Sequence, residues 1–152
     1  MIVRIQPQAF DIGAEIAALT RGRSDIGAIV TFTGVCRDEG GSLVALEIEH
    51  YPGMAEEEIA RVVEKAQERW PLKGVTVVHR HGRIAAGEEI VLVVTLSAHR
   101  RAAFEAAEFL MDYLKTSAPF WKKEVRLSEA SGQWVDAKAS DTADAARWRK
   151  KS

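Results

Sequence analysis

Lys115 and Lys122 stand seven residues apart, on either side of a chain break at Pro119. A turn at the proline can bring Lys122 back beside Lys115. Two neighbouring ammoniums depress each other's pKa, which makes a lysine a base or a nucleophile near neutral pH. If both stay charged, the pair binds an anion instead. A second cationic group, His99-Arg100-Arg101, follows Ser97-Ala98 in the first turn of the longest helical pattern. The helix dipole disfavours cations there, and a bound anion is the obvious compensation, although long arginines can also reach into water. Arg37 lies in the glycine-rich loop Gly34–Gly41, where it can offer a fork of donors to a phosphate. Other chemistry is poorly provided for. The pair His79 and His81 lacks a third metal ligand and reads as two surface or strand-end histidines. Cys36 has no adjacent histidine and reads as a small loop residue. Nucleotide-binding glycine motifs, a nucleophile elbow and a zinc-protease motif are absent.

The elements that must position these residues alternate between strand and helix patterns. Residues 2–6 read as a strand, and Asp11 caps a helix carrying Ile12, Ile16 and Leu19. Residues 27–33 form a β-rich run. Val44, Leu46 and Ile48 alternate as in a half-buried strand. Pro52-Gly53 precedes a helix over about residues 54–69, with a stripe of Ile59, Val62, Val63 and Ala66, and a favourable Glu57–Arg61 pair. Strands follow at 75–80 and 88–97, joined by the loop HGRIAAGE. The second is nearly continuous in apolar residues, as in a central strand covered on both faces. Ser97 is expected to cap a helix over 98–116 whose Phe104, Ala107, Leu110, Met111 and Leu114 face inward. Residues 120–127 and 133–138 read as a hairpin around Ala130-Ser131-Gly132. His99 and Lys115 are then about 24 Å apart along one helix and cannot line one small pocket. Either two sites exist, or one site is assembled across a C2 dimer, the commoner oligomer.

Composition sets the frame. The chain has 152 residues, 47% hydrophobic, with a formal charge of -1. That is enough apolar content for one core and excludes intrinsic disorder. The near-neutral charge argues against a dedicated polyanion binder. One cysteine excludes an internal disulfide framework. The N-terminus lacks a signal pattern and no apolar run approaches ~18 residues, so a soluble cytoplasmic protein is expected. The reading is an α/β chain with a mixed sheet: one domain over residues 1–140, then a basic, mobile tail over 141–152 with few core residues.

Four segments carry a resemblance along nearly the whole length: TFTGVCR (31–37), LEIEHYPGM (46–54), SAHRRAAFEAAEFLMDYLKTSAPFWKKE (97–124) and WVDA (134–137). In them the chain resembles the large, catalytic subunit of molybdopterin synthase. The resemblance implies an α/β hammerhead-type fold, to which the residue pattern adds the C-terminal hairpin. It also implies a homodimer in which each protomer binds a small ubiquitin-like subunit ending in a Gly-Gly thiocarboxylate, giving a heterotetramer. The implied reaction is sulfur transfer to cyclic pyranopterin monophosphate, forming the dithiolene of molybdopterin, with no permanently bound cofactor and no metal. By this resemblance Lys115 lies beside the thiocarboxylate, and Lys122 contacts the pterin intermediate or stabilises developing charge. Arg37, His99 and Arg100 match substrate-binding positions, the last two reaching in from the other protomer. Val35, Cys36, Lys123 and Glu124 flank them and line the pocket. Relatives often carry Lys where Val35-Cys36 stands, and some carry Arg at Lys138. The alternatives are a non-catalytic regulatory module that binds a phosphorylated metabolite, without need of the lysine pair, and a nucleic-acid-binding domain, which the net charge disfavours.

Overall fold

The computed structural model describes residues 1–127, 129–135 and 139–150, with side chains for 1–127 and 141–149. Its elements are β1 (Ile2–Gln6), α1 (Ile12–Thr20), β2 (Ala28–Val35), β3 (Leu43–His50), α2 (Met54–Arg69), β4 (Leu72–Arg80), β5 (Gly82–Ala85), β6 (Glu89–Ser97), α3 (Arg100–Thr116), β7 (Phe120–Arg126), β8 (Glu129–Val135) and α4 (Ala139–Ala146). The class is the expected mixed α/β. The strands divide into two four-stranded sheets, ordered β1-β4-β6-β2 and β5-β3-β7-β8. Only β1 and β4 run parallel among these pairs.

The apolar run of β6 is explained by its place between β4 and β2. Alternate residues leave a strand on opposite faces. Val91 and Val93 join Ile59, Val62, Val63 and Ala66 of α2 and Leu110 and Met111 of α3 in the main core. Leu92, Val94 and Leu96 pack on the other face, against Ile12, Ile16 and Leu19 of α1. Thr95 is buried on the α3 side, and its hydroxyl donates to the Ala103 carbonyl at 2.7 Å. That bond ties the start of α3 to the sheet.

Several expectations change. Phe104 is 59% exposed rather than inward, because Ala103, Ala106 and Ala107 occupy the face that meets the sheet. Ser97 ends β6 and donates to the Pro71 carbonyl, so His99 takes the N-cap position. Asp11 does cap α1, accepting from the Ala14 amide at 3.0 Å. In β3 the buried residues are Leu43, Ala45 and Ile48, since a register shift separates Leu43 from Ala45. Arg61 pairs with Glu58, not Glu57, and also donates to the Tyr113 hydroxyl. The loop HGRIAAGE contains β5, and β8 begins at Glu129, ahead of the expected turn at 130–132. The C-terminal segment forms α4 and a 3-10 turn, and its Trp148 joins the main core against Trp70 and Phe109.

Candidate active site

Three elements converge on one groove of about 930 Å³. The end of β2 and the loop after it bring Val35, Cys36 and Arg37. The last turn of α3 brings Lys115, and β7 brings Lys122, Glu124 and Arg126. A small inner cavity of about 40 Å³ also has Val35, Lys115 and Lys122 in its wall and adds His79. The turn at Pro119 therefore does what its position suggests: it folds β7 back so that the two lysines face one space.

The two lysines sit differently. Lys115 is exposed at the groove's edge, in the helix turn where the dipole favours a cation. Lys122 is half-buried in mid-strand. Desolvation pushes its pKa down to about 8, the charge of Lys115 adds to the fall, and Asp141 opposes it. Lys122 thus gives up its proton more readily than an ordinary lysine.

Strand alternation sorts the residues around it. Lys122, Glu124 and Arg126 share one side of β7, whereas Lys123 projects from the other, across from Glu47, which pairs with Arg83. Lys123 is consequently absent from the groove wall, contrary to expectation. Arg126 was not singled out by sequence reasoning, although the two-residue spacing from Lys122 was its signal. It binds the Glu124 carboxylate at 2.8 Å, the Ser42 hydroxyl at 2.9 Å and the Glu39 carbonyl at 3.2 Å. These bonds pin the loop that carries Arg37. Arg37 itself is largely exposed and pairs with Glu39, while Asp38 accepts from the Leu43 amide.

Cys36 is 1% exposed, and burial pushes its thiol pKa up, so it is no activated nucleophile. His79 overturns the surface reading: it is 4% exposed and stacked on Phe120. Its signal was the apolar run before it in β4. Among the described residues no group of three or more His, Cys, Asp or Glu side chains could hold a metal ion.

His99 and Arg100 are not brought to this groove. With Gly27, Arg101, Phe104 and Glu105 they line a separate open cavity of about 630 Å³ at the other end of α3. The close packing at that end requires glycine at Gly27, since a Cβ there would lie 2.0 Å from the Ala98 carbonyl oxygen. Lys138 lies outside the described residues. No helix is long and apolar enough to cross a membrane among the described residues.

Comparison with known proteins places this geometry. Residues 5–117 match the family model described as MoaE protein. The chain is 66% identical over 150 residues to the molybdopterin synthase catalytic subunit of Mesorhizobium japonicum, covering 99% of this chain and 94% of that one. Its fold matches molybdopterin cofactor biosynthesis protein E from Burkholderia multivorans, with a TM-score of 0.83 and 46% identity over 99% and 98% of the two chains. A more distant match in fold is a chain of the protein-protein complex of subunits 1 and 2 of molybdopterin-converting factor from Helicobacter pylori, with a TM-score of 0.70 and 21% identity over 91% and 92%. The family match and these identities, on a chain whose lysines converge as described, establish that it belongs to the MoaE family, that of the molybdopterin synthase catalytic subunits.

Proposed function

We propose that this chain transfers sulfur from the C-terminal thiocarboxylate of a small ubiquitin-like subunit to cyclic pyranopterin monophosphate, forming the dithiolene of molybdopterin. The observation that carries the reading is the convergence of Lys115 and the desolvated Lys122 on one groove. The nucleophilic sulfur arrives on the partner, so the groove needs no activated cysteine and no resident cofactor. The partner's tail, as a thiocarboxylate anion, lies against the Lys115 ammonium. Lys122 meets the pterin, and its lowered pKa lets it exchange a proton near neutral pH or meet developing negative charge in a site poor in water. Arg37 stands at the mouth, where it receives an anionic substrate.

The substrate phosphate is held from a second protomer of this chain, through its His99 and Arg100. Two features support a dimer. β2 is an outer strand of its sheet, with Ile29 and Phe32 exposed along it, and Phe104 is exposed beside His99 and Arg100. Open apolar edges of this kind are usually covered. The H. pylori chain of the same fold stands in a complex of two subunits, which fits a small sulfur carrier as the further partner. A cytoplasmic location belongs to the same proposal.

The test is single-turnover conversion of cyclic pyranopterin monophosphate by this chain with a thiocarboxylated small subunit. Dithiolene product that depends on the thiocarboxylate is expected. A stable complex that yields no product would refute the transfer role and favour a regulatory anion-binding module.

A further inference from the structure

His79 has no task in the reaction as outlined, yet its geometry is specific. Its ring stacks on Phe120 with centroids 3.9 Å apart and planes within 14° of parallel. Its Nδ1 lies 2.8 Å from the Arg80 carbonyl oxygen. A carbonyl oxygen can only accept, so Nδ1 carries the proton and Nε2 of the neutral ring keeps a lone pair. Burial holds the ring neutral, pushing its pKa down to about 3, with the charges of Lys122, Lys115 and His50 acting in the same direction. Nε2 is therefore an acceptor near neutral pH.

The inner cavity narrows the choice of donor. Apart from His79, its wall contains, among the described residues, only two side chains with N–H groups, Lys115 and Lys122. Lys115 is exposed, whereas Lys122 is half-buried and partly desolvated. An ammonium taken from water needs acceptors. Among the described residues Lys122 makes no hydrogen bond or ion pair, and Asp141 acts on it only through its charge. Phe120 and Lys122 are two apart on β7, so they share a side of the strand, roughly 7 Å apart. The imidazole stacked on Phe120 thus stands next to Lys122.

We propose that His79 is a positioning residue for the reaction: a turn of the Lys122 side chain, which makes no hydrogen bond among the described residues, lets the His79 Nε2 accept from the Lys122 ammonium and hold that Nζ in the groove beside Lys115. The catalytic part of this inference rests on the sulfur-transfer reading. The hydrogen bond does not, so it is tested separately. Several ionisable groups face Lys122. Lys115 comes from α3, His79 from β4 and Asp141 from α4, Arg37 and Glu39 come from the loop after β2, and Glu124 and Arg126 lie on its own strand.

The experiment is the pH dependence of Lys122 acylation by trace acetic anhydride in the full chain, read by peptide mass spectrometry. Wild type, His79→Leu and His79→Gln are compared. Loss of the acceptor disfavours the ammonium, so His79→Leu lowers the Lys122 midpoint by about half a pH unit or more. His79→Gln, whose amide oxygen accepts, restores most of it. In single turnover with thiocarboxylated partner and saturating substrate, His79→Leu slows product formation about tenfold and moves the pH profile the same way. A packing role alone lowers melting temperature and slows turnover equally at all pH, and an unmoved Lys122 midpoint in folded His79→Leu overturns the proposal. His79→Met carries the same comparison if the leucine variant does not fold. A shifted midpoint with no turnover even in wild type supports the hydrogen bond and refutes the sulfur-transfer reading instead.

Discussion

The two ends of α3 both carry cations, and each end pays for them differently. At the N-terminus His99, Arg100 and Arg101 are exposed, and the dipole of a 17-residue helix opposes the two arginine charges. At the C-terminus the dipole favours Lys115, but Lys122 beside it is desolvated and faces a like charge. The first arrangement keeps the guanidinium charges of Arg100 and Arg101 in reach of solvent, as suits capture of a phosphate. The second moves a pKa toward neutrality, as suits proton exchange at a reacting atom. Under the proposed roles, one helix separates binding from chemistry by its own length, and a second protomer is what would bring the two together.

The largest effect expected is at the chemical end. Lys115→Ala and Lys122→Ala each reduce dithiolene formation a hundredfold or more, of the order seen when a single charge-stabilising group is removed, roughly 3 kcal/mol. Circular dichroism should show the fold retained. Arg100→Ala comes next: substrate affinity falls about tenfold while the rate at saturation changes little, because an exposed phosphate contact acts mainly in binding. Mixing Arg100→Ala with Lys115→Ala protomers tests the separation directly. A shared site predicts that mixed dimers regain one intact groove, measured as single-turnover product at subsaturating substrate above that of either homodimer. Confirmed mixing without recovery would place both ends' functions within one protomer or in two sites.

The legibility of these two ends in the sequence was unequal for a physical reason. Lys115, Pro119 and Lys122 are close in the chain, so local turn chemistry was enough to bring the lysines together. The α2 stripe and the doubly covered β6 were legible because their periods are regular. His79 and Arg126 carried only faint local signals, and Trp148 none. His79 is buried by Phe120, forty-one residues away, and Trp148 by Trp70 and Phe109. Their environments are made by sheet pairing and tail docking that no local window contains. Phe104 failed in the opposite direction: an aromatic at helical spacing reads as core, but small alanines were what the sheet accepted.

Stability sharpens the comparison further, since both ends hold their cations at a cost. The folded pKa of Lys122, about 8, lies below the ordinary 10.5. Between those values the unfolded chain binds more protons, so wild-type stability rises with pH through that window. At pH 7 the full desolvation cost is present. Lys122→Met, inactive, should therefore be more stable at pH 7 by about 1 kcal/mol, a rise in Tm of roughly 3 °C, and lack that pH slope. Arg100→Ala should gain roughly 0.3 kcal/mol from the relieved dipole, and 0.5 M salt should erase that gain but leave the Lys122 effect. Equal salt sensitivity at both ends would break the distinction between exposed and desolvated cations.

The smallest effect is expected from the residue most easily mistaken for machinery. Lys123 follows Lys122 directly and lies in the same basic stretch, so charge counting alone would give the two equal weight. The strand gives them opposite sides: Lys122 enters the groove with Glu124 and Arg126, and Lys123 opposes Glu47 on the far side. Lys123→Gln should change turnover less than about twofold and stability by less than about 0.5 kcal/mol, the usual range for a surface position. The measurement is the same single-turnover assay with a thermal melt, run beside Lys122→Gln. A loss at Lys123 comparable to that at Lys122 would mean that net positive charge at this end of α3, not the placement of one desolvated ammonium, drives the reaction. Retained activity at Lys123 alone ties the chemistry to the side of β7 that the lysine pair shares.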